Sequence, residues 1–347
     1  MLGFLAVVAG AALVAATNTY GPFDNLVAFG DSYSDDGRLA YYISNNGSAP
    51  PAGAYQTVTN VTASGGLTWG QYVQQRVPGL GFFDYAVSGA TCSNRIVARE
   101  LPPIHGPFPA VLDDEIPSFQ ADVAGAHTLY ANRTADNTVY ALWIGTNDLS
   151  FSGFLSDSQA LGTNITTFVE CTWAVLDALY AAGARRFVLF NQAPLHLAPM
   201  YRPQAAGGAG DNQYWANKTQ YNETAYAYKM LEYTTSVNTI VAYGAPFQLL
   251  VRRRWLGAAV ALFDVHRLLT DVYADPAAYL AAPANATGYF HHCDPTNTTQ
   301  CTDAPGSIDS YMFFDELHPS TKTDSVIAEA FLDVVAGISE YGTTYSS

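Results

Sequence analysis

Short apolar runs recur at wide intervals along this chain, each closed by a small or polar residue, and that rhythm constrains the fold more than any other feature. Residues 25–29 end at Gly30-Asp31, 82–87 at Ser88-Gly89, 138–144 at Gly145, 186–190 at Asn191, and 259–265 near His266. The runs are almost continuously apolar rather than alternating, which suits strands covered on both faces. Helical patterns lie between them, such as 165–182, closed by Gly183. Strands and helices in alternation predict a parallel sheet between two helical layers, a three-layer α/β/α sandwich. No internal repeat or long linker interrupts the chain; the most linker-like stretch, 205–210, is short, so one domain with long loops is the simpler organisation.

Half of the residues are hydrophobic (49%) and only 13% are charged, so the chain belongs with globular rather than disordered proteins. A net charge of -15 repels nucleic acid and anionic membranes, and no Lys/Arg run offsets it. Arg252-Arg253-Arg254 is read as a solvated helix end or loop. The apolar stretch 2–16 ends in small residues and is too short for a bilayer span. It reads as a secretory signal occupying 1–17, leaving a single domain over 18–347, although no Lys or Arg precedes it; a buried N-terminal helix is the alternative. No later stretch reaches about 18 apolar residues, so no membrane anchor is expected.

Eight Asn-X-Ser/Thr sequons, at Asn46, Asn60, Asn132, Asn164, Asn217, Asn222, Asn285 and Asn297, fit a glycosylated extracellular protein and should lie at the surface. Four cysteines allow three pairings. Cys293 and Cys301 flank a Pro/Asn/Thr-rich turn and are expected to pair locally, which leaves Cys92 with Cys171 by elimination. No C-x-x-C pair supports a metal site, and His291-His292 beside Cys293 read as loop histidines.

Four polar blocks carry the chemistry. Three close the first three apolar runs: Gly30-Asp31-Ser32, Ser88-Gly89 and Gly145-Thr146-Asn147-Asp148. The fourth, Asp315-Glu316-Leu317-His318, precedes a final helical pattern over 323–338. In open parallel sheets, sites form beyond the carboxyl ends of the strands. Any one block alone is more often a turn or a helix cap. Together they supply what acyl transfer requires. Ser32 is a hydroxyl nucleophile that needs a base. His318 is that base, and Asp315, three residues earlier and on the same side of a helical turn, orients it. The backbone N–H groups of Ser32 and Gly89 and the side-chain amide of Asn147 are donors for an oxyanion. Asp148 is read as structural, fixing its turn.

The segments Phe29-Gly-Asp-Ser-Tyr-Ser-Asp35, Asp84-Tyr-Ala-Val-Ser-Gly-Ala-Thr-Cys92 and Trp143-Ile-Gly-Thr-Asn-Asp148, with Asp315 and His318, resemble the GDSL or SGNH hydrolase superfamily over about residues 25–335. Within it the chain is similar to the secreted fungal carbohydrate esterase family 16. The resemblance implies a flavodoxin-like, five-stranded parallel sheet. It implies no cofactor and a Ser32–His318–Asp315 triad. It also implies acetylesterase action on plant-wall oligosaccharides by a secreted protein, with a monomer expected. No G-x-S-x-G elbow is present, which argues against an α/β-hydrolase lipase. Two alternatives stand beside this reading. One is a lipid or broad aliphatic esterase, with apolar loops around Pro102-Pro103 and 107–109 as a lid. The other is a carbohydrate-binding protein on an esterase scaffold. Tyr33, Trp69 and Trp215 are candidate sugar platforms, though packing is the commoner fate of such residues.

Overall fold

Each of the five apolar runs contributes a strand: β1 (Asn25–Gly30), β2 (Gly81–Asp84), β3 (Thr138–Trp143), β4 (Arg186–Phe190) and β5 (Ala259–Phe263). The computed structural model describes residues 20–347 except Tyr55, Thr57 and 126–128. The signal expected at the start therefore lies outside the described residues. The five strands are parallel, in the order 2-1-3-4-5. A sixth, β6 (Gly342–Ser346), adds antiparallel beside β5, so the sheet is six-stranded and mixed rather than five-stranded and all-parallel. An antiparallel edge on a parallel sheet is common, and this polar, half-exposed segment carries little apolar signal. β2 is shorter than its apolar run, yet Tyr85 and Val87 still donate to the Ala28 and Gly30 carbonyls at 2.9 and 3.1 Å. The chain thus stays beside β1 almost to Ser88.

Seven α-helices lie among the described residues: α1 (Arg38–Ser44), α2 (Trp69–Arg76), α3 (Ile116–Ala124), α4 (Ile165–Ala181), α5 (Glu223–Pro246), α6 (Val265–Ala274) and α7 (Thr321–Ala336). α4 starts where Asn164 accepts the N–H groups of Thr166 and Thr167. α7 starts two residues before its apolar pattern, because Ser320 caps it by accepting the Thr323 N–H. Phe187 and Phe190 are an odd number of residues apart on β4 and so face opposite ways. Phe190 packs against Trp69 of α2 and Phe331 of α7. Phe187 packs against Tyr140 and Trp255, the layer of Phe119 in α3 and Trp173 in α4. These contacts make the three layers. The strand order reverses between β1 and β3, which opens a crevice at their carboxyl ends.

Both expected disulfides are present. Cys293–Cys301 clasps the hairpin of His291–Asp294 and Asn297–Asp303. Among the described residues, His291, Cys293 and Cys301 form one cluster of metal-ligand type, but both sulfurs are committed to the disulfide. His291 instead contacts Asp303 at 2.6 Å. Cys92–Cys171 ties the segment after β2 to α4 across 79 residues. Replacing both Cys92 and Cys171 with Ser is expected to cost about 2–4 kcal/mol, chiefly by freeing the unfolded chain. A denaturant midpoint that does not move would exclude this.

Six of the eight sequon asparagines are exposed, and Asn217 and Asn285 are half-buried. Arg252 and Arg253 are solvated, whereas Arg254 pairs with Asp177 and Glu170. Among the described residues no helix is long and apolar enough to cross a membrane.

Candidate active site

The blocks at the ends of β1, β2 and β3 and the segment before α7 all meet in the crevice. Gly30 has φ 149°, and a Cβ there would lie 2.1 Å from the Trp143 carbonyl oxygen. Glycine therefore lets β1 end tightly against β3. A single helical turn follows, with Ser34 and Asp35 donating to the Asp31 carbonyl at 2.9 and 3.0 Å. Ser32 sits at the start of that turn, where backbone N–H groups have no intrahelical acceptor.

Ser32 Oγ lies 2.7 Å from Nε2 of His318. His318 Nδ1 is 2.9 Å from both carboxylate oxygens of Asp315. The segment 315–318 is an irregular turn and not the expected helical one. Asp315 Oδ1 accepts the N–H groups of Leu317 and His318, each at 2.8 Å, and this Asx-type turn brings imidazole and carboxylate together. The Tyr214 hydroxyl donates to Oδ2 at 2.6 Å.

All three groups are almost fully buried. Burial pushes the His318 pKa down, but the Asp315 carboxylate outweighs it, and His318 stays above an ordinary imidazole. Burial pushes Asp315 up, but His318 and the hydrogen bonds it accepts outweigh that, and it stays below an ordinary carboxyl. The pair is thus set as imidazole beside carboxylate.

The two backbone donors are free. Among the described residues, neither the Ser32 N–H nor the Gly89 N–H has a protein acceptor. Gly89 occupies the third position of the turn closed by Ala90 N donating to the Val87 carbonyl, with φ 88°, a left-handed position suited to glycine. A Cβ at Gly89 would also lie 2.4 Å from the Phe108 ring. Asn147 donates one Nδ2–H to the Ala90 carbonyl at 2.9 Å and accepts from Arg99 Nη1 at 2.7 Å. Arg99 and the Ala90 carbonyl thereby fix which way the amide faces, since guanidinium only donates and carbonyl only accepts. Asp148 is buried, and its carboxylate accepts the Cys92 N–H at 3.0 and 3.1 Å, which ties the turn after β3 to the segment after β2. Burial pushes Asp148 up to about 7.

Ser32, Gly89, Asn147 and His318 line a cleft of about 590 Å³, with Arg99, Phe108, Met200 and Tyr214. The proposed sugar platforms do not line it. Tyr33, Trp69 and Trp215 are each at most 2% exposed. Tyr33 packs on Trp143 and His318, Trp69 on Phe190, and Trp215 on Phe151. Tyr214, one residue before Trp215, is the exposed aromatic at the cleft. Neither Tyr214 nor Arg99 stands out in the sequence. Each is a single residue in an irregular segment, and only the fold shows what it touches.

A hydroxyl, an imidazole and a carboxylate in series, at the switch point of a doubly wound sheet, are the arrangement of a serine-dependent hydrolase. The model of the GDSL-like lipase/acylhydrolase family matches residues 26–331. An acetylesterase of Hypocrea jecorina is 54% identical over 321 residues, covering 92% of this chain and 91% of that one. An acetylesterase of Thermothelomyces thermophilus is 31% identical over 178 residues, covering 50% of this chain and 55% of that one. A solved α/β hydrolase from a lake metagenome is a distant likeness, 14% identical with a TM-score of 0.44, covering 93% of this chain and all (100%) of that one. The chain belongs to the GDSL-like lipase/acylhydrolase family and is a carboxylic ester hydrolase.

Proposed function

We propose that the protein is a secreted acetylesterase that removes acetyl groups from cell-wall oligosaccharides. The observation that carries the chemistry is the 2.7 Å approach of Ser32 Oγ to His318 Nε2, with Asp315 behind. The 54% identity to an acetylesterase supports the acyl group. Two disulfides and the surface positions of most sequons support an extracellular protein. The reading includes a signal over 1–17, one hydrolase domain over 18–347 and action as a monomer.

In the proposed reaction Ser32 Oγ attacks the acetyl carbonyl carbon while its proton passes to His318 Nε2. The carbonyl oxygen becomes an oxyanion, held by the N–H groups of Ser32 and Gly89 and by Asn147 Nδ2. The tetrahedral intermediate collapses, the C–O bond to the sugar breaks, and His318 returns its proton to the leaving alcohol. Water, deprotonated by His318, then attacks the acetyl-serine. The second intermediate releases acetate and restores the Ser32 hydroxyl.

The test is a set of initial rates on 4-nitrophenyl acetate, butyrate and octanoate, beside acetate release from acetylated xylo-oligosaccharide. Turnover is expected to fall steadily with acyl length, and the oligosaccharide to lose acetate. A preference for octanoate would move the substrate to lipid esters. Absence of any turnover would leave a carbohydrate-binding protein as the better account.

A further inference from the structure

Among the described residues Arg99 is the one Arg or Lys side chain lining the cleft, and the esterase reading as it stands gives it no part. Its Nη1 donates to the Gly89 carbonyl and to Asn147 Oδ1, each at 2.7 Å. Its Nε donates to Ser152 Oγ at 3.0 Å. Its guanidinium lies 4.9 Å from the centre of the Phe108 ring, the same ring that leaves no room for a Cβ at Gly89. One group therefore spans the turn after β2 and the turn after β3, which carry two of the three proposed oxyanion donors.

We propose that Arg99 is the positioning residue of the oxyanion hole, acting through Asn147 and Gly89 rather than on the substrate. Two effects follow from its contacts. Nη1 bridges both turns while Nε, on Ser152, fixes the plane of the guanidinium, so that the Gly89 N–H and Asn147 Nδ2 keep the spacing an oxyanion needs. The positive charge on Asn147 Oδ1 also draws electron density from the amide, which makes its remaining N–H a stronger donor in a site of low dielectric. Lysine has charge but no fork and meets only part of this requirement. The inference rests on the esterase reading above, though on any ester rather than on acetyl esters in particular.

The experiment is a double-mutant cycle of Arg99→Met and Asn147→Ala, read as kcat and KM on 4-nitrophenyl acetate, with melting curves to confirm folding. Arg99→Met alone is expected to lower kcat by about 10–100-fold with KM nearly unchanged, and Asn147→Ala by about 100–1,000-fold. The double variant is expected to fall clearly short of the product of the two single losses, because the part of the Arg99 effect that passes through Asn147 is already gone while the part through the Gly89 carbonyl remains. Arg99→Lys is expected to recover part of the loss. Multiplicative losses, a loss confined to KM, or an unchanged kcat in Arg99→Met would each overturn the proposal. If Arg99→Met does not fold, Arg99→Lys carries the same cycle with smaller factors. A wild-type protein without Ser32-dependent turnover would instead overturn the esterase reading and this inference with it.

Discussion

Ser32→Ala and His318→Ala are each expected to lower kcat on 4-nitrophenyl acetate by about 10⁵–10⁶-fold, and the double variant by hardly more. The reason is geometric. Ser32 Oγ and His318 Nε2 share one hydrogen bond at 2.7 Å, so neither group has a function in the first step without the other. The Ser32 and Gly89 N–H groups and Asn147 survive both changes, and they account for the residual rate. Folding should survive as well. Ser32 Oγ makes no hydrogen bond other than the one to His318 among the described residues, and the His318 backbone retains its contacts to Asp315 and Phe314. The check is single-turnover acylation beside a melting curve. A variant that stays folded and retains a tenth of the activity would remove Ser32 or His318 from the chemistry.

Asp315→Asn is expected to cost about 10⁴-fold, less than loss of the base itself. Oδ1 of Asp315 accepts two backbone N–H groups, so an amide must place its oxygen there. Its NH2 then takes the Oδ2 position, within reach of His318 Nδ1. That arrangement favours the tautomer with hydrogen on Nε2, which cannot accept the Ser32 proton. The pH profile gives a second readout. His318 must be neutral to act as a base, and Asp315 holds its pKa above the ordinary imidazole. In the wild type, kcat/KM should therefore fall as pH drops through a midpoint above about 6.5. Without the carboxylate, burial is the largest influence left, opposed only by the more weakly acting Asp31 and Glu316, and the midpoint should move to lower pH. Superimposable acid limbs for wild type and Asp315→Asn would separate Asp315 from His318 function.

The sheet was legible in the sequence because strands buried on both faces must be apolar throughout. The runs at 25–29 and 186–190 each match an observed strand within a residue. β6 was not legible. Gly-Thr-Thr-Tyr-Ser at an edge owes its place to pairing with β5, and pairing leaves no trace in composition. The four polar blocks were legible because strand ends recur with small and polar residues. Their geometry was only partly so: the 315–318 spacing brings the two side chains together through backbone N–H groups donating to Asp315, not through a helix. Aromatic residues misled most. Trp69 and Trp215 are conspicuous by size, and size is what draws a side chain inward, while Tyr214 reaches the cleft because its hydroxyl is held by Asp315.

The proposed nucleophile and base stand 286 positions apart in the chain. As a ribosome extends this protein, Ser32 is made first and waits, with no imidazole beside it, until the chain has been extended 286 residues further. Competence to cleave is thus acquired only after His318 has been made and has folded back onto Ser32. No truncated product that stops short of His318 can carry it, and an assay of ester cleavage counts only molecules in which residues 32 and 318 have come together.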